Sequence, residues 1–500
     1  MKKRRTETDI PQEAELRSVD LTDRSSALPE GRKQNTELSI VTWIFVLLFA
    51  LLVGRLMFIL FAESDSLKGN INNTKADSNA ENVIRGDIRT LDGVLLATTH
   101  LDESGNQTRS YPYDNVFAHV VGYATNGKAG LEAEENYELL SSHSSLLKQI
   151  QAGESGEKIQ GDSVVVTLDA RLQQAAYYAL GSYRGAVVVM EPDSGRILAM
   201  VSKPDFNPNT IGSEWESLVS DSSSSALLNR ATQGLYPPGS TFKMVTALAY
   251  LRAHKGDVSG FDWNCQGALT KDDVTITCYN NEMHGQEDLA AAFAHSCNTA
   301  FAQIGLDLKN KQLRDTAEDF LFNRSLPTGM QYSQSVFRLK EDSSVGEQMT
   351  TAIGQGDTLA TPLHMALITS AIANGGILMR PYYVDHIETP DGTVVKRNDP
   401  EIYKKIMTPE EAGILADLMT GTVTGGTAAA LSGNGYTAAG KTGSAEYEKD
   451  GVTGTHSWFC GFAETGEPHI VVSVIAEDGG TGSSTAVPIA KQILDTYFYG

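Results

Sequence analysis

The chain has 500 residues, of which 41% are hydrophobic, enough for two or three domains with a sizeable core. Its formal net charge of −22 excludes nucleic acid as a partner, because such a surface cannot neutralise phosphates. Four cysteines are too few for a disulfide framework, although Cys265 and Cys278 are near enough in sequence to form one bridge or to remain two free thiols. No C-x-x-C or H-E-x-x-H motif occurs, so a zinc site has little support.

An apolar stretch from Leu38 to Phe61, LSIVTWIFVLLFALLVGRLMFILF, is long enough to cross a bilayer as a helix, which needs about 20 residues. Its only charge, Arg55, lies close to the C-terminal end and can reach the headgroups. A cleaved signal peptide fits less well, because the apolar core is too long and no small-residue cleavage site follows promptly. The sequence therefore predicts a transmembrane helix at 38–62, preceded by a disordered tail at 1–37.

The flanking charges predict an orientation for this helix. Basic residues cluster before it, and acidic residues follow immediately after it. The positive-inside tendency then places the N-terminus in the cytoplasm and everything after Ala62 outside the cell membrane.

Two further regions follow the apolar stretch. Residues 63–157 begin as a polar linker and continue as a small β-rich pedestal, in which RGDIRTLDGVLLA (85–97) predicts a hairpin that turns at Asp92-Gly93. Residues 158–500 start with a strand and a helix capped by Asp169, and then a second hairpin, GAVVVMEPDSGRILAMVS. Three more strands and a helix end the chain. Strands at both ends with helices between them predict an α+β fold with one antiparallel sheet and an inserted helical lobe.

A serine and a lysine lie three residues apart in YPPGSTFKMV (236–245). Proline is favourable at the start of a helix, so Ser240 is predicted near a helix N-terminus with Lys243 on the same face. A serine hydroxyl needs a base in order to attack, and a lysine made neutral by burial or by neighbouring positive charge can supply it. Taken alone, the pair is equally typical of a capping serine followed by a surface lysine.

Two other short patterns have the same ambiguity. Ser296 and Asn298 in AHSCNTAF can face one cleft from a short turn, or form an ordinary polar turn. Lys441 and Thr442 in AGKTGSAEY can bind a carboxylate, and Gly443 within a strand suggests close approach of a ligand to the backbone. The alternative there is an edge strand protected by a lysine.

Together the three patterns are much more specific. S-x-x-K, then S-x-N, then K-T-G is the motif set of penicillin-binding proteins and class A β-lactamases, and the spacing here suits a transpeptidase domain better than a compact β-lactamase. Other stretches carry the likeness: RGDIRTLDGVLLA, LLNRATQGLYPPGSTFK, AIGQGDTLATPLHMA and SWFCGFA. The sequence resembles the class B, monofunctional penicillin-binding proteins, which are peptidoglycan D,D-transpeptidases, and within them the smaller penicillin-binding protein A subgroup.

The resemblance implies a penicillin-recognising serine transpeptidase domain at 158–500, with a five-stranded antiparallel sheet, helices on both faces and an all-helical lobe. It implies that Ser240 is the acylated nucleophile, that Lys243 is its base, and that Ser296 relays a proton. It further implies the following contacts: Asn298 with the substrate amide and Lys243, Lys441 and Thr442 with the terminal carboxylate, and the N–H groups of Ser240 and Ser444 with the oxyanion. No cofactor or metal is needed.

The same resemblance implies the partners. These are D-alanyl-D-alanine stem peptides as substrates, β-lactams as inhibitors, the membrane bilayer, and a SEDS-family glycosyltransferase. A membrane-anchored D,D-carboxypeptidase, a β-lactamase and a catalytically silent cell-wall scaffold are the alternatives. Thr90 and Leu91 replace the Asp-Arg of the family's N-terminal motif, which puts the salt bridges of the pedestal in doubt.

Overall fold

The computed structural model describes residues 36–59, 82–145, 150, 154–155, 157–221, 223–449, 451–466 and 468–500. The chain divides into two units, residues 1–66 and 67–500, and each is described by itself. Residues 1–35 of the tail predicted at 1–37, and the polar linker predicted to begin at residue 63, lie outside the described residues, whereas residues 36 and 37 belong to a helix.

In the first unit, helix α1 spans Thr36–Phe58. Its stretch Leu38–Phe58 has a mean hydropathy of 2.4, and none of this stretch is buried against other residues. It is therefore long and apolar enough to cross a membrane, as the sequence predicts.

The second unit begins with short elements: β1 Val83–Ile84, β2 Ile88–Thr90, β3 Leu95–Leu101, β4 Gln107–Ser110, α2 Ala118–Val121, α3 Gly130–Glu134, α4 Asn136–Leu139 and β5 Ile159–Gln160. The elements after Gln160 are β6 Ser163–Val166, α5 Ala170–Leu180, β7 Gly185–Met190, β8 Ile197–Lys203, α6 Ile211–Ser220, α7 Arg230–Gln233, α8 Lys243–Ala253, β9 Trp263–Cys265, β10 Ala268–Lys271, β11 Val274–Thr277, β12 Gly285–Glu287, α9 Leu289–Ala294, α10 Asn298–Asp307, α11 Asn310–Asp319, α12 Val345–Ala352, α13 Pro362–Ala373, β13 Ile377–Met379, β14 Val384–Glu388, β15 Val394–Arg397, β16 Ile402–Lys405, α14 Pro409–Thr424, β17 Thr437–Lys449, β18 Val452–Glu464, β19 Pro468–Ala476 and α15 Val487–Tyr499.

A five-stranded sheet in the order β17-β18-β19-β7-β8 is antiparallel throughout. Successive side chains of a strand point to opposite faces, and β7 uses both. Val187 and Val189 pack in a core with Leu172 of α5 and Leu494 of α15. Val188 joins the other core, which includes the buried residues of α13. Helices therefore cover both faces, and the predicted α+β fold is confirmed.

A second sheet, of six strands, has the order β15-β14-β6-β2-β3-β4. Strand β2 of the pedestal pairs in parallel with β6, and β6 pairs antiparallel with β14, some 220 residues further along the chain. This sheet runs across the boundary predicted at residue 157, so the pedestal is completed by strands from the region after it. The boundary itself stays a prediction.

A buried charge cluster holds the pedestal together. The Glu132 carboxylate is fully buried and pairs with Arg85 Nε at 2.5 Å and with Arg109 Nε at 2.7 Å. Burial alone raises the pKa of Glu132, but the charges of Arg109 and Arg85 outweigh it and lower the pKa below its usual value. The pedestal thus has buried salt bridges, formed by Arg85, Arg109 and Glu132, although Thr90 and Leu91 replace the Asp-Arg of the family's motif.

Replacing Glu132 with alanine is expected to lower the free energy of unfolding by about 3–5 kcal/mol, because it leaves two buried guanidinium groups without their carboxylate. The full-length protein in detergent can be unfolded with urea to measure this change. Glu103→Ala, at an exposed glutamate of the same region, is the matched control and should change stability by less than about 0.5 kcal/mol. Similar midpoints for the two variants would contradict the importance of the cluster.

Candidate active site

The segment that carries Ser240 lies directly on the five-stranded sheet. One turn of 3₁₀-helix, Gly239–Phe242, leads into α8, so Ser240 stands at the start of a helix as predicted. Gly239 has a φ of 53°, and its N–H donates to the Gly354 carbonyl at 2.9 Å. A Cβ on Gly239 would lie 3.1 Å from Cα of Ala445 in β17, so a glycine is needed here for the close approach.

Contacts between the stretch before Ser240 and the sheet fix this approach. Arg230 Nε and the Tyr236 hydroxyl both donate to Oε1 of Glu477, each at 2.7 Å. The indole N–H of Trp458 donates to the Pro237 carbonyl at 3.0 Å. These contacts join the loop to the end of β19 and to β18, which sets the height of Ser240 above the sheet.

Lys243 is buried, and its ammonium group contacts the S-x-N motif. Nζ donates to the Ser296 carbonyl at 2.7 Å, to Asn298 Oδ1 at 2.8 Å and to Ser296 Oγ at 3.3 Å. No hydrogen bond joins Nζ to the Ser240 hydroxyl in the described part of the chain. Burial lowers the pKa of Lys243 to about 8, so about a tenth of the lysine is neutral at pH 7.

Ser296 occupies the corner between α9 and α10. Its φ of 58° is in the left-handed region, which is uncommon for a serine and typical of the residue that ends a helix. Its N–H donates to the Phe293 carbonyl at 3.1 Å, and Asn298 begins α10 two residues later. The corner, rather than a loose turn, brings both polar side chains to Lys243.

Strand β17 presents its residues in alternation. Thr442 and Ser444 line a cleft, whereas Lys441 points to the other side and is fully buried. The Lys441 ammonium group donates to the Thr442 carbonyl at 3.3 Å and lies 5.5 Å from the centre of the Phe293 ring. Burial and the charge of Lys243 hold the pKa of Lys441 well below its usual value.

At Gly443 the sequence predicts the close approach of a ligand to the backbone, but in the structure other protein atoms occupy this space. A Cβ at this position would lie 3.0 Å from Cβ of Trp458 and 3.1 Å from the Pro238 carbonyl oxygen. The close approach is therefore made by the protein itself, where the Ser240 segment packs on the strand. Gly443 therefore allows the Ser240 segment to pack closely on β17.

The cleft has a volume of about 790 Å³. Five of the eight predicted site residues line it: Ser240, Ser296, Asn298, Thr442 and Ser444. Sequence reasoning missed Thr427, whose hydroxyl lies 2.5 Å from that of Thr442, and Gly482, whose N–H donates to the Ser444 hydroxyl at 3.3 Å. Neither belongs to a motif. It also missed Glu446, which lines the cleft and could have been found by the alternation along β17.

Comparison with known families identifies this arrangement. The family model of the penicillin binding protein transpeptidase domain matches residues 185–495, and that of the penicillin binding protein A dimerisation domain matches residues 85–164. This chain belongs to the penicillin-binding proteins. The first match contains all three motifs of the cleft.

Relatives of this penicillin-binding protein confirm the resemblance to the class B group. It is 33% identical over 490 residues to the peptidoglycan D,D-transpeptidase PbpA of Mycolicibacterium smegmatis, covering 92% of this chain and 98% of the relative. Penicillin-binding protein A from M. tuberculosis, solved as a ceftriaxone acyl-enzyme complex, superposes with a TM-score of 0.77 at 31% identity, covering 85% of this chain and 100% of that one. The D,D-transpeptidase domain of an Eggerthella lenta peptidoglycan glycosyltransferase gives 0.75 at 33% identity, covering 83% and 98%.

Proposed function

We propose that this penicillin-binding protein is a peptidoglycan D,D-transpeptidase, which cross-links stem peptides through an acyl-enzyme on Ser240 and is acylated at the same residue by β-lactams. The observation that carries the proposal is the buried Lys243, held by Ser296 and Asn298 one helical turn from Ser240. Relatives that are named D,D-transpeptidases, and the β-lactam acyl-enzyme of one structural neighbour, support it.

In the first step, the Ser240 oxygen attacks the carbonyl carbon between the two terminal D-alanines, and its proton passes to neutral Lys243. The oxyanion is stabilised by the N–H groups of Ser240 and Ser444. β17 is an edge strand of its sheet, and edge strands present unpaired N–H groups, which supports this assignment for Ser444. The C–N bond then breaks, and D-alanine leaves after its amine takes a proton through Ser296.

In the second step, an amine of a neighbouring stem peptide attacks the ester carbonyl of the acyl-enzyme. The amine loses a proton to the Lys243 and Ser296 pair, the ester C–O bond breaks, and Ser240 regains its proton. The product is a new amide bond between two stems.

Substrate binding is assigned to the residues of β17. The Thr442 and Ser444 hydroxyls line the cleft and can donate to the terminal carboxylate of the stem. Lys441 lies under the same strand, and its Nζ donates to the Thr442 carbonyl at 3.3 Å, so it positions the residue that binds the carboxylate. Asn298 accepts from Lys243 through Oδ1, and its amide N–H₂ donates one N–H to the Thr277 carbonyl, which leaves the second N–H for the substrate.

A carboxypeptidase would transfer the acyl group to water instead of to an amine. The test is to supply the purified full-length protein with a D-alanyl-D-alanine stem peptide and an amine acceptor, and to measure D-alanine and cross-linked dimer together. The proposal expects dimer formation that increases with acceptor concentration. Release of D-alanine with no dimer at any acceptor concentration would instead identify a hydrolase.

We also propose that α1 anchors the protein in the cell membrane with its N-terminus in the cytoplasm, so that the cleft faces the peptidoglycan outside. The position of the basic residues before α1 supports this orientation. The proposed partner in the membrane is a SEDS-family glycosyltransferase, as the family resemblance implies. Near the C-terminal end of α1, Gly54 permits close helix approach and Arg55 can reach a carbonyl or carboxylate of a partner helix.

Replacing Gly54 and Arg55 together with leucine is expected to weaken co-purification with the glycosyltransferase, because the close contact and the polar contact are both lost. Membrane insertion and labelling by penicillin should be unchanged, and these serve as the controls. If the double variant co-purifies as well as the parent, α1 is only an anchor and the partner must contact another region.

A further inference from the structure

A cluster of potential metal ligands lies beside the cleft and takes no part in the proposed reaction. It consists of Cys265, Cys278, His284 and Cys297, whose ligand atoms all lie within 4.8 Å of one another. Sγ of Cys265 is 3.7 Å from Sγ of Cys278 and 3.4 Å from Nδ1 of His284. Sγ of Cys278 is 3.8 Å from Sγ of Cys297.

These separations match a tetrahedral zinc centre. With Zn–S bonds of about 2.3 Å and a Zn–N bond of about 2.0–2.1 Å, the ligand atoms of such a centre lie about 3.5–3.8 Å apart. Three cysteines and one histidine are a common ligand set for a structural zinc ion, and four protein ligands leave no position open for catalysis. We propose that Cys265, Cys278, His284 and Cys297 bind one structural zinc ion. This inference does not rest on the proposed transpeptidase activity.

Hydrogen bonds from neighbouring groups hold the sulfur ligands in place. The Thr299 hydroxyl donates to Sγ of Cys265 at 3.2 Å, and the N–H of Ala300 donates to Sγ of Cys297 at 3.4 Å. Donors of this kind orient and stabilise the ligands of metal centres.

A disulfide accounts for the cluster less well. Any one disulfide among the three cysteines leaves the third thiol and the histidine without a function, whereas a zinc ion uses all four side chains. The Cys265 and Cys278 sulfurs are unbonded, at 3.7 Å rather than the roughly 2.05 Å of a disulfide. The remaining cysteine, Cys460, is buried in β18 next to Ser473 and lies outside the cluster.

The position of the cluster indicates what the ion does. Its ligands come from β9, from the residue after β11, from the residue before β12 and from the residue before α10. Cys297 is the middle residue of the S-x-N motif, between Ser296 and Asn298. The ion would therefore link strands β9, β11 and β12 to the corner between α9 and α10, which contacts Lys243. The sequence pattern, C-x₁₂-C-x₅-H-x₁₂-C, has no close pair of ligands, which is why motif searching gave zinc little support.

The test measures zinc in the full-length protein, purified in detergent without chelators and desalted. Mass spectrometry of the metal content should find about one zinc per chain in the parent and in Cys460→Ser, the control at the cysteine outside the cluster. The zinc content of Cys265→Ser should be at least about tenfold lower than that of the parent, since serine is a poor zinc ligand. Circular dichroism checks that this variant is folded.

A second measurement uses only the parent, so it decides the question even if Cys265→Ser does not fold. Titration with an organomercurial, which modifies thiols, should release about one equivalent of zinc to a colorimetric chelator. A separate sample, denatured without the mercurial, should contain four free thiols. Background zinc in the parent, a thiol count of two that reveals a disulfide, or equal zinc in the parent and in a folded Cys265→Ser would each overturn the proposal.

Discussion

Ser240→Ala is expected to abolish covalent labelling by penicillin and all release of D-alanine. The alanine side chain has no oxygen to attack the carbonyl carbon, and no other hydroxyl of the cleft lies one helical turn before a buried lysine. The fold should be retained, because Ser240 is only partly buried and its hydroxyl makes no hydrogen bond within the described residues. The expected change in unfolding free energy is about 0.5 kcal/mol or less.

The measurement is the intact mass of the protein after incubation with penicillin, which should increase by one penicillin in the parent and not at all in the variant. Ser483→Ala is a suitable control, since Ser483 also lines the cleft and is exposed. It should be labelled like the parent. Undiminished labelling of the Ser240 variant, or a label on another residue of the parent, would contradict the assignment.

Lys243→Arg should reduce the rate of acylation by roughly 10²–10⁴-fold, the usual contribution of a general base. Arginine keeps the positive charge but does not give up a proton at neutral pH. A lysine that acted only as a structural cation would tolerate the exchange much better. Rates are measured by the loss of a chromogenic β-lactam under single-turnover conditions, and near-normal acylation of a folded variant would rule out the base.

The pH dependence separates loss of the base from disturbed packing. Burial lowers the pKa of Lys243 to about 8, and only the neutral form accepts the serine proton. In the parent, the acylation rate should therefore be low at pH 6, rise through pH 8 and level off above it. The residual rate of Lys243→Arg should lack this rise. A variant that was merely distorted would be slower at every pH but would keep the same profile.

The features that could be predicted from the sequence are those that depend on residues close together in the chain. Asp169 was predicted to cap a helix, and its carboxylate accepts from the N–H groups of Arg171 and Leu172, because a cap depends only on near neighbours. The hairpin of β7 and β8 and the serine and lysine at the start of α8 were found for the same reason.

Features that depend on distant segments could not be found in this way. Strand β6 pairs with β2 of the pedestal and with β14, which lies some 220 residues further along the chain, and no local pattern encodes this arrangement. The surroundings of Lys441 include the Phe293 ring and the charge of Lys243, which come from distant helices. The same holds for Cys265 and Cys297, whose common site exists only once the hairpins have folded against the corner.

The central claim is that a stem peptide is transferred through an ester on Ser240. The most direct measurement is to quench the full-length protein with acid during turnover of a D-alanyl-D-alanine peptide, digest it, and locate the acyl group by mass spectrometry. The account predicts one acyl group, lacking the terminal D-alanine, on the fragment that contains Ser240, and none in Ser240→Ala. An acyl group on another residue, or turnover that continues in Ser240→Ala, would contradict it.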